Sequence, residues 1–337
     1  MILLSICIAT YNRGNYIGET LDSIVYQLTD DVEVVVVDGA STDNTEDVIN
    51  NYLPKCKQLR YKKLNKKGGV DHDFSKSVEF AKGKYCWLFP DDDLLKPGAV
   101  RAVLDNLKKN YCLIIVNAQV MSIDFSRTLQ NRILPIYVDE IFDKFEIEIL
   151  FKRVIEHMSF IGCVVIKRDF WNSREKIKYM GTEFIHVGVV FQDRFPGSTL
   201  VMSEPYIKIR YGNAQWSSRS IEISLFKWPR LLMSFKKISL PVRKMHQIQN
   251  PLHIIKSIAV YRAKGIYNLD GYKKLEIIRD LPIIWKCVAH FLAIFPSSIL
   301  NIFALSYYKI IKKNALITIY ELESYRNKIL SKLEGLN

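Results

Sequence analysis

At 337 residues, with 49% apolar and 25% charged side chains, the chain can bury one large or two modest cores, and wholesale disorder is excluded. Its net charge of +13 is unevenly placed: residues 1–214 hold 28 Lys/Arg and 28 Asp/Glu, whereas residues 215–337 hold 20 against 7, the whole surplus. Six scattered cysteines without a CxxC pair exclude a disulfide scaffold and read as reduced core thiols of a cytoplasmic chain.

The β-branched run Leu3–Thr10 is the first expected strand, ending at the polar loop Tyr11-Asn12-Arg13-Gly14-Asn15. Structure begins so early that no signal peptide is expected before it. A helix follows over 16–27, with Ile17, Leu21, Ile24 and Val25 at helical spacing. Glu33–Val37 is a buried-type strand closed by Asp38-Gly39-Ala40-Ser41-Thr42-Asp43, where Ser41 or Thr42 can cap the helix carrying Val48 and Ile49. A strand over 59–63, a Gly68-Gly69 turn, a helix over 75–81 and a strand over 85–89 complete the series. Further strands are expected over 113–120 and 160–167. Strands alternating with helices imply βαβ units and a parallel sheet, with ligands beyond the carboxyl ends of its strands.

Asp91-Asp92-Asp93 directly follows the apolar run 85–89. Adjacent carboxylates repel and destabilise the turn unless something compensates, and a divalent cation such as Mg²⁺ or Mn²⁺ suits hard oxygen ligands. The alternative is a solvated acidic turn before the helix that begins near Pro97. Asp38 can accept hydrogen bonds from a base or ribose, or merely form a turn. The loop Thr10–Arg13 can hold a nucleotide or simply connect strand to helix. No G-x-G-x-x-G follows the first strand, which disfavours a dinucleotide oxidoreductase.

The segments ATYNR (9–13), VVDGASTD (36–43), GG (68–69), AKGKYCWLFPDDDLLKPG (81–98) and VVIKRDFW (164–171), in this order and spacing, resemble family 2 glycosyltransferases of the GT-A fold over about residues 1–210. The WLFxDDD form, the length and the basic tail are similar to abequosyltransferase-like members that build O-antigen or capsule repeats. The resemblance implies a Rossmann-like, mostly parallel α/β sheet flanked by helices, and inverting transfer from a nucleoside diphosphate sugar. It assigns Thr10, Tyr11, Arg13 and Asp38 to the nucleoside, Asp91 to the ribose and Asp92 to Mn²⁺ or Mg²⁺. Pro90 stands where the commonest DxDD form has its first Asp, so Asp93 also remains a metal candidate. Asp71 and Asp73, read as loop residues, are weaker donor-site candidates. For the base that takes the acceptor proton, the resemblance points to Glu183, then His186, then Asp193; Glu183 is alternatively a cap for a helix over 184–191. In the loop 210–216, Arg210, Asn213 and Trp216 either close over the diphosphate or belong to a linker.

After residue 214 long apolar and basic stretches replace the alternation, so the expected division is a catalytic domain over 1–214 and a helical, basic region over 215–337. Pro282–Leu305 is the most apolar stretch, but Lys286, His290, Pro296, Ser297, Ser298 and Asn301 interrupt it. Pro296 is read as a break between two helices, with Ser297 or Ser298 capping the second. With Lys309, Lys312, Lys313 and the Tyr307–Tyr308 pair following, helices lying in a membrane interface are expected, rather than a span. The combined expectation is a cytoplasmic enzyme peripheral on the inner face of the plasma membrane. Its partners would be an anionic membrane surface and a polyprenyl-diphosphate-linked oligosaccharide acceptor. The alternative is a non-catalytic nucleotide-sugar or glycan-binding protein of the same fold. Nucleic acid is disfavoured because the positive charge is interleaved with long aliphatic runs.

Overall fold

The computed structural model describes residues 1–213, 220–245 and 250–334. They form two compact units: Met1–Arg210 with Ser234–Val242, and Tyr211–Met233 with the chain from Arg243 onward.

In the first unit, strands β1 (Leu4–Thr10), β2 (Val32–Asp38), β3 (Leu59–Lys63) and β4 (Tyr85–Phe89) lie parallel in the order β3-β2-β1-β4. β2 and β4 are buried along their full length, which is why they read as continuous Val/Leu/aromatic runs rather than alternating ones. The sheet continues with β5 (Leu94–Leu95), β6 (Leu113–Met121), β7 (Thr128–Gln130), β8 (Glu140–Phe142), β9 (Val164–Lys167) and β10 (Thr199–Arg210).

The parallel series stops at β4, because β9 runs antiparallel between β4 and β6. The expected strand over 160–167 is shortened to its last four residues, and two single 3₁₀ turns precede it. Those turns bring Gly162 to the carboxyl end of β4, where its carbonyl accepts the Trp87 indole N–H at 2.8 Å. A strand entering from that edge without a crossover helix can only run antiparallel to β4.

The helices of this unit are α1 (Ile17–Val25), α2 (Thr45–Asn50), α3 (Val70–Phe80), α4 (Ala99–Leu107), α5 (Ile147–Val154), α6 (Arg168–Asn172) and α7 (Ile185–Phe191). α1 buries Ile17, Leu21 and Ile24 as their spacing requires. α3 begins five residues before the expected start, so Asp71 and Asp73 belong to its first turn rather than to a loop. Phe235, from the returning segment, is fully buried against the rings of Phe151, Tyr179 and Phe191.

The second unit is helical. Its main members are α8 (Pro251–Ala263), α9 (Ile283–Ile294), α10 (Ser297–Ile310) and α11 (Leu316–Glu334). Ile254, Ile258, Tyr267, Leu275 and Leu292 build one core, and Leu305, Ile319 and Leu322 a smaller one. α9 and α10 meet at Pro296 with a bend of 104°, and no single helix among the described residues is long and apolar enough to cross a membrane. Neither serine caps α10; the Ser297 hydroxyl instead pairs with the Tyr325 hydroxyl at 2.7 Å.

This pair is apolar on its outer face as well as on the face that carries Leu292 and Leu305 into the cores. Asn301 of α10 is buried, donating to the carbonyls of Ala263 and Leu322 at 3.0 Å each. Ile284, Phe291 and Ile294 of α9 and Ile299, Ile302, Phe303 and Ile310 of α10 are exposed.

Candidate active site

The register Thr10↔Asp38 and Ile8↔Phe89 brings the ends of β1, β2 and β4 level, so the loops after them share one edge of the sheet. The first two loops are tied together. Asn12 sits in the left-handed region (φ 53), which Asn tolerates, and its N–H donates to Ser41 Oγ at 2.8 Å. Thr42 N donates to Asn12 Oδ1 at 2.8 Å and Arg13 N to Thr45 Oγ1 at 2.8 Å. Ser41 and Thr42 are therefore spent on this tie and do not cap α2; the Asp43 carboxylate accepts Thr45 N instead.

Asp38 is wholly buried: its carboxylate accepts Ser41 N at 2.7 Å and the Tyr61 hydroxyl at 2.8 Å. It holds its own loop. Thr10 is buried at the end of β1, and the Lys67 ammonium lies 3.7 Å from the centre of the Tyr11 ring. Sequence reading overlooked Tyr61 and Lys67; a lysine beside a double glycine or a tyrosine in an edge strand carries no spacing signal.

The acidic turn follows β4. The Arg13 guanidinium lies 3.6 Å from Asp91 Oδ1 and 3.3 Å from Asp92 Oδ2. Burial and the neighbouring Asp92 charge push the Asp91 carboxyl up to about 7, against the pull of Arg13. One guanidinium thus undercompensates the pair, and the donor set fits a divalent cation. No group of three His, Cys, Asp or Glu among the described residues could hold a metal alone. Asp91 and Asp92 could supply only part of a shell, with ligand phosphate and water completing it, as is usual for Mg²⁺.

Asp93 and Arg210 have different roles from those expected. Asp93 is buried and its Oδ1 accepts the backbone N–H of Arg210 at 2.7 Å, so it ties β10 to the turn rather than facing a metal. The Arg210 side chain donates to the carbonyls of Asp92 (2.9 Å) and Ile123 (2.8 Å) and to Glu19 (2.7 Å), beside the Phe125 ring. It is a strut behind the acidic turn, not an arm over a diphosphate. Asn213 belongs to the second unit, and Trp216 lies outside the described residues.

Glu183 stands at φ 70, just before α7. The Asp71 carboxylate, from the first turn of α3, accepts the N–H groups of Glu183 (2.8 Å) and Ile185 (3.0 Å). Asp71 therefore caps α7, the part left open for Glu183, and is buried with its carboxylate committed to that loop.

His186 is buried, with Nε2 at 2.7 Å from the Met158 carbonyl and Nδ1 without a partner, so it cannot reach an acceptor hydroxyl. Asp193 stands beyond the other end of α7, about 10 Å along the axis. There it faces Arg174, which follows the end of β9 beside the start of β4. A depression of about 620 Å³ lined by Arg174, Glu175, Lys176, Gln192 and Asp193 lies at that edge, away from the acidic turn.

The two buried histidines predict acid sensitivity. His157, bonded through Nε2 to the Val116 carbonyl, and His186 are both pushed down to about 4 by burial. Their folded values lie below the unfolded one near 6.5, so their contribution is complete above pH 6.5 and is lost as pH falls toward 4. At most roughly 3 kcal/mol per histidine is involved. Denaturant unfolding between pH 7 and 4.5 should show this slope flattened in His157→Gln/His186→Gln. An unchanged slope would assign the loss to other groups.

The model of glycosyl transferase family 2 matches residues 5–177, from β1 through the acidic turn to α6. The chain belongs to this family. It is 29% identical over 262 residues to the abequosyltransferase RfbV of Salmonella typhimurium, covering 71% of this chain and 78% of that protein. Staphylococcus aureus TarS, solved with UDP-GlcNAc, superposes with a TM-score of 0.55 at 13% identity, over 97% of this chain and 92% of that one. The mannosyltransferase PcManGT of Pyrobaculum calidifontis, solved with GDP-Man and Mn²⁺, superposes at 0.52 and 14% identity, over 96% and 86%. At these identities the two structures speak for the GT-A fold. The enzyme is thus a family 2 glycosyltransferase with a mixed α/β sheet and a helical C-terminal region.

Proposed function

We propose that this glycosyltransferase moves a sugar, with inversion, from a nucleoside diphosphate donor to a lipid-linked oligosaccharide in O-antigen or capsule assembly. The observation that carries the donor reading is the undercompensated pair Asp91–Asp92 beside Arg13, level with the tied loops after β1 and β2. Tyr11 lies on those loops, which Asp38 and Thr10 hold from within, while Asp92, with Asp91, would hold Mn²⁺ or Mg²⁺. Such a cation would neutralise the departing diphosphate. Arg13 adds a positive charge at the same place. Glu183 takes the proton of the acceptor hydroxyl as its oxygen attacks the anomeric carbon, and the bond from that carbon to the diphosphate oxygen breaks on the opposite face.

The lipid-linked acceptor and a peripheral position on the inner face of the membrane rest on the second half of the chain. Its charge surplus and the exposed aliphatic faces of α9 and α10 suit an anionic bilayer surface. The RfbV relative, an abequosyltransferase, supports sugar transfer by this chain.

The donor reading is tested by thermal unfolding with UDP, GDP, CDP or dTDP, with and without Mn²⁺. One nucleotide should raise the midpoint by several degrees only with metal, since about 2.7 kcal/mol is gained at a ligand concentration of 100 Kd. A folded sample that responds to none of them would overturn it and favour a binding module for glycans.

A further inference from the structure

We propose that Asp71 is a positioning residue for the catalytic base: its buried carboxylate clamps the backbone that carries Glu183 through the N–H groups of Glu183 and Ile185. This rests on the reading of Glu183 as base and adds how that base is held.

Glu183 adopts a left-handed conformation that is costly for a residue with a Cβ, and it follows Gly181, also left-handed at φ 79. Such a backbone persists only if its surroundings over-determine it. Asp71 supplies that restraint. It is 4% exposed and bonded to Glu183 N at 2.8 Å and Ile185 N at 3.0 Å, while Thr182 Oγ1 accepts Phe184 N at 3.1 Å. Burial and the Glu183 charge push the Asp71 carboxyl up, and the backbone N–H groups pull it down. Burial outweighs those bonds, and the carboxyl lies above its ordinary value.

The clamp has a firm base. α3 runs for eleven residues, and its first turn also carries Asp73, buried against the loop after β2. A Cβ on Gly39 would come within 2.4 Å of Asp73 Oδ2, so that contact is tight. One helical turn thus touches the donor-side loop through Asp73 and the base loop through Asp71. Changing Asp71 should move the base while leaving the donor side in place. A displacement of about 1 Å at a catalytic group costs on the order of 10²-fold in rate.

The test is a double-mutant cycle on the full chain. Turnover at saturating donor and acceptor is measured for wild type, Asp71→Asn, Glu183→Gln and the double variant, together with nucleotide-induced thermal shifts. Asp71→Asn keeps one acceptor oxygen but turns an amide toward the second N–H. It should lower kcat about 10- to 100-fold with the nucleotide shift unchanged, and add no further loss in the Glu183→Gln background. Losses that multiply in the double variant, with Glu183→Gln itself strongly impaired but still measurable, would overturn the clamp alone. A nucleotide shift that falls in step with kcat would likewise make Asp71 a general structural support. Full turnover in Glu183→Gln would remove the base assignment and the clamp together. Should Asp71→Asn not fold, Asp71→Ser, smaller and with one acceptor oxygen, carries the same cycle.

Discussion

Asp92→Asn is expected to abolish metal-dependent nucleotide binding and to lower turnover by on the order of 10²-fold or more. A bound cation contributes several kcal/mol to stabilising a leaving diphosphate, and each 1.36 kcal/mol is tenfold in rate. Asp91 and Asp92 keep similar access, their side chains 12% and 13% exposed, whereas Asp93 is buried and committed to the Arg210 backbone. The same substitution removes a charge that repels both neighbours. The midpoint of unfolding without metal should therefore stay level or rise while activity disappears. That opposition separates a ligand from a structural aspartate, whose loss lowers stability first. Steady-state turnover and thermal unfolding, with and without Mn²⁺, check both halves. Wild-type turnover in the variant would remove Asp92 from the metal site.

Ile302→Glu/Phe303→Glu is expected to release the protein from anionic phospholipid vesicles, weakening partitioning at least 10²-fold. Burying an Ile or Phe side chain gains about 1.5–3 kcal/mol, and a carboxylate adds repulsion from acidic headgroups. The two residues are 56% and 67% exposed, so the helical core should survive the change. The reason to expect lipid on this face is that α10 exposes Ile299, Ile302, Phe303 and Ile310 even though its inner face already carries Leu305 into a core. The exposed Lys312 and Lys313, just beyond the helix, add an attraction that salt should weaken. Co-sedimentation with vesicles of phosphatidylglycerol and phosphatidylcholine, at low and high salt, reads both effects. A variant that partitions like the wild type would move the membrane contact elsewhere in the chain.

The strands β1 to β4 and the acidic turn were legible because they are local patterns. Buried parallel strands read as unbroken apolar runs, and the polar loops that end them mark the sheet edge where ligands gather. Residues 9–13, 36–43 and 81–98 therefore indicated both the fold and the donor side, and the break at Pro296 followed from the ring that ends a helix. The α3 boundary was misjudged because Gly68-Gly69 masks a helix start that has no capping side chain.

The roles of individual carboxylates were not legible, because a role depends on what faces the side chain. Asp93 meets Arg210 across 117 positions and Asp71 meets Glu183 across 112, distances over which periodicity carries no information. The antiparallel entry of β9 likewise depended on where the preceding turns end in space. The alternation of strands and helices through β4, the charge division and the place of the acidic turn at the end of β4 were determined by sequence alone. Which acids are ties, which are open to ligand, and which helix faces stay uncovered was decided only by tertiary packing, since burial and hydrogen-bond partners exist only once distant segments meet.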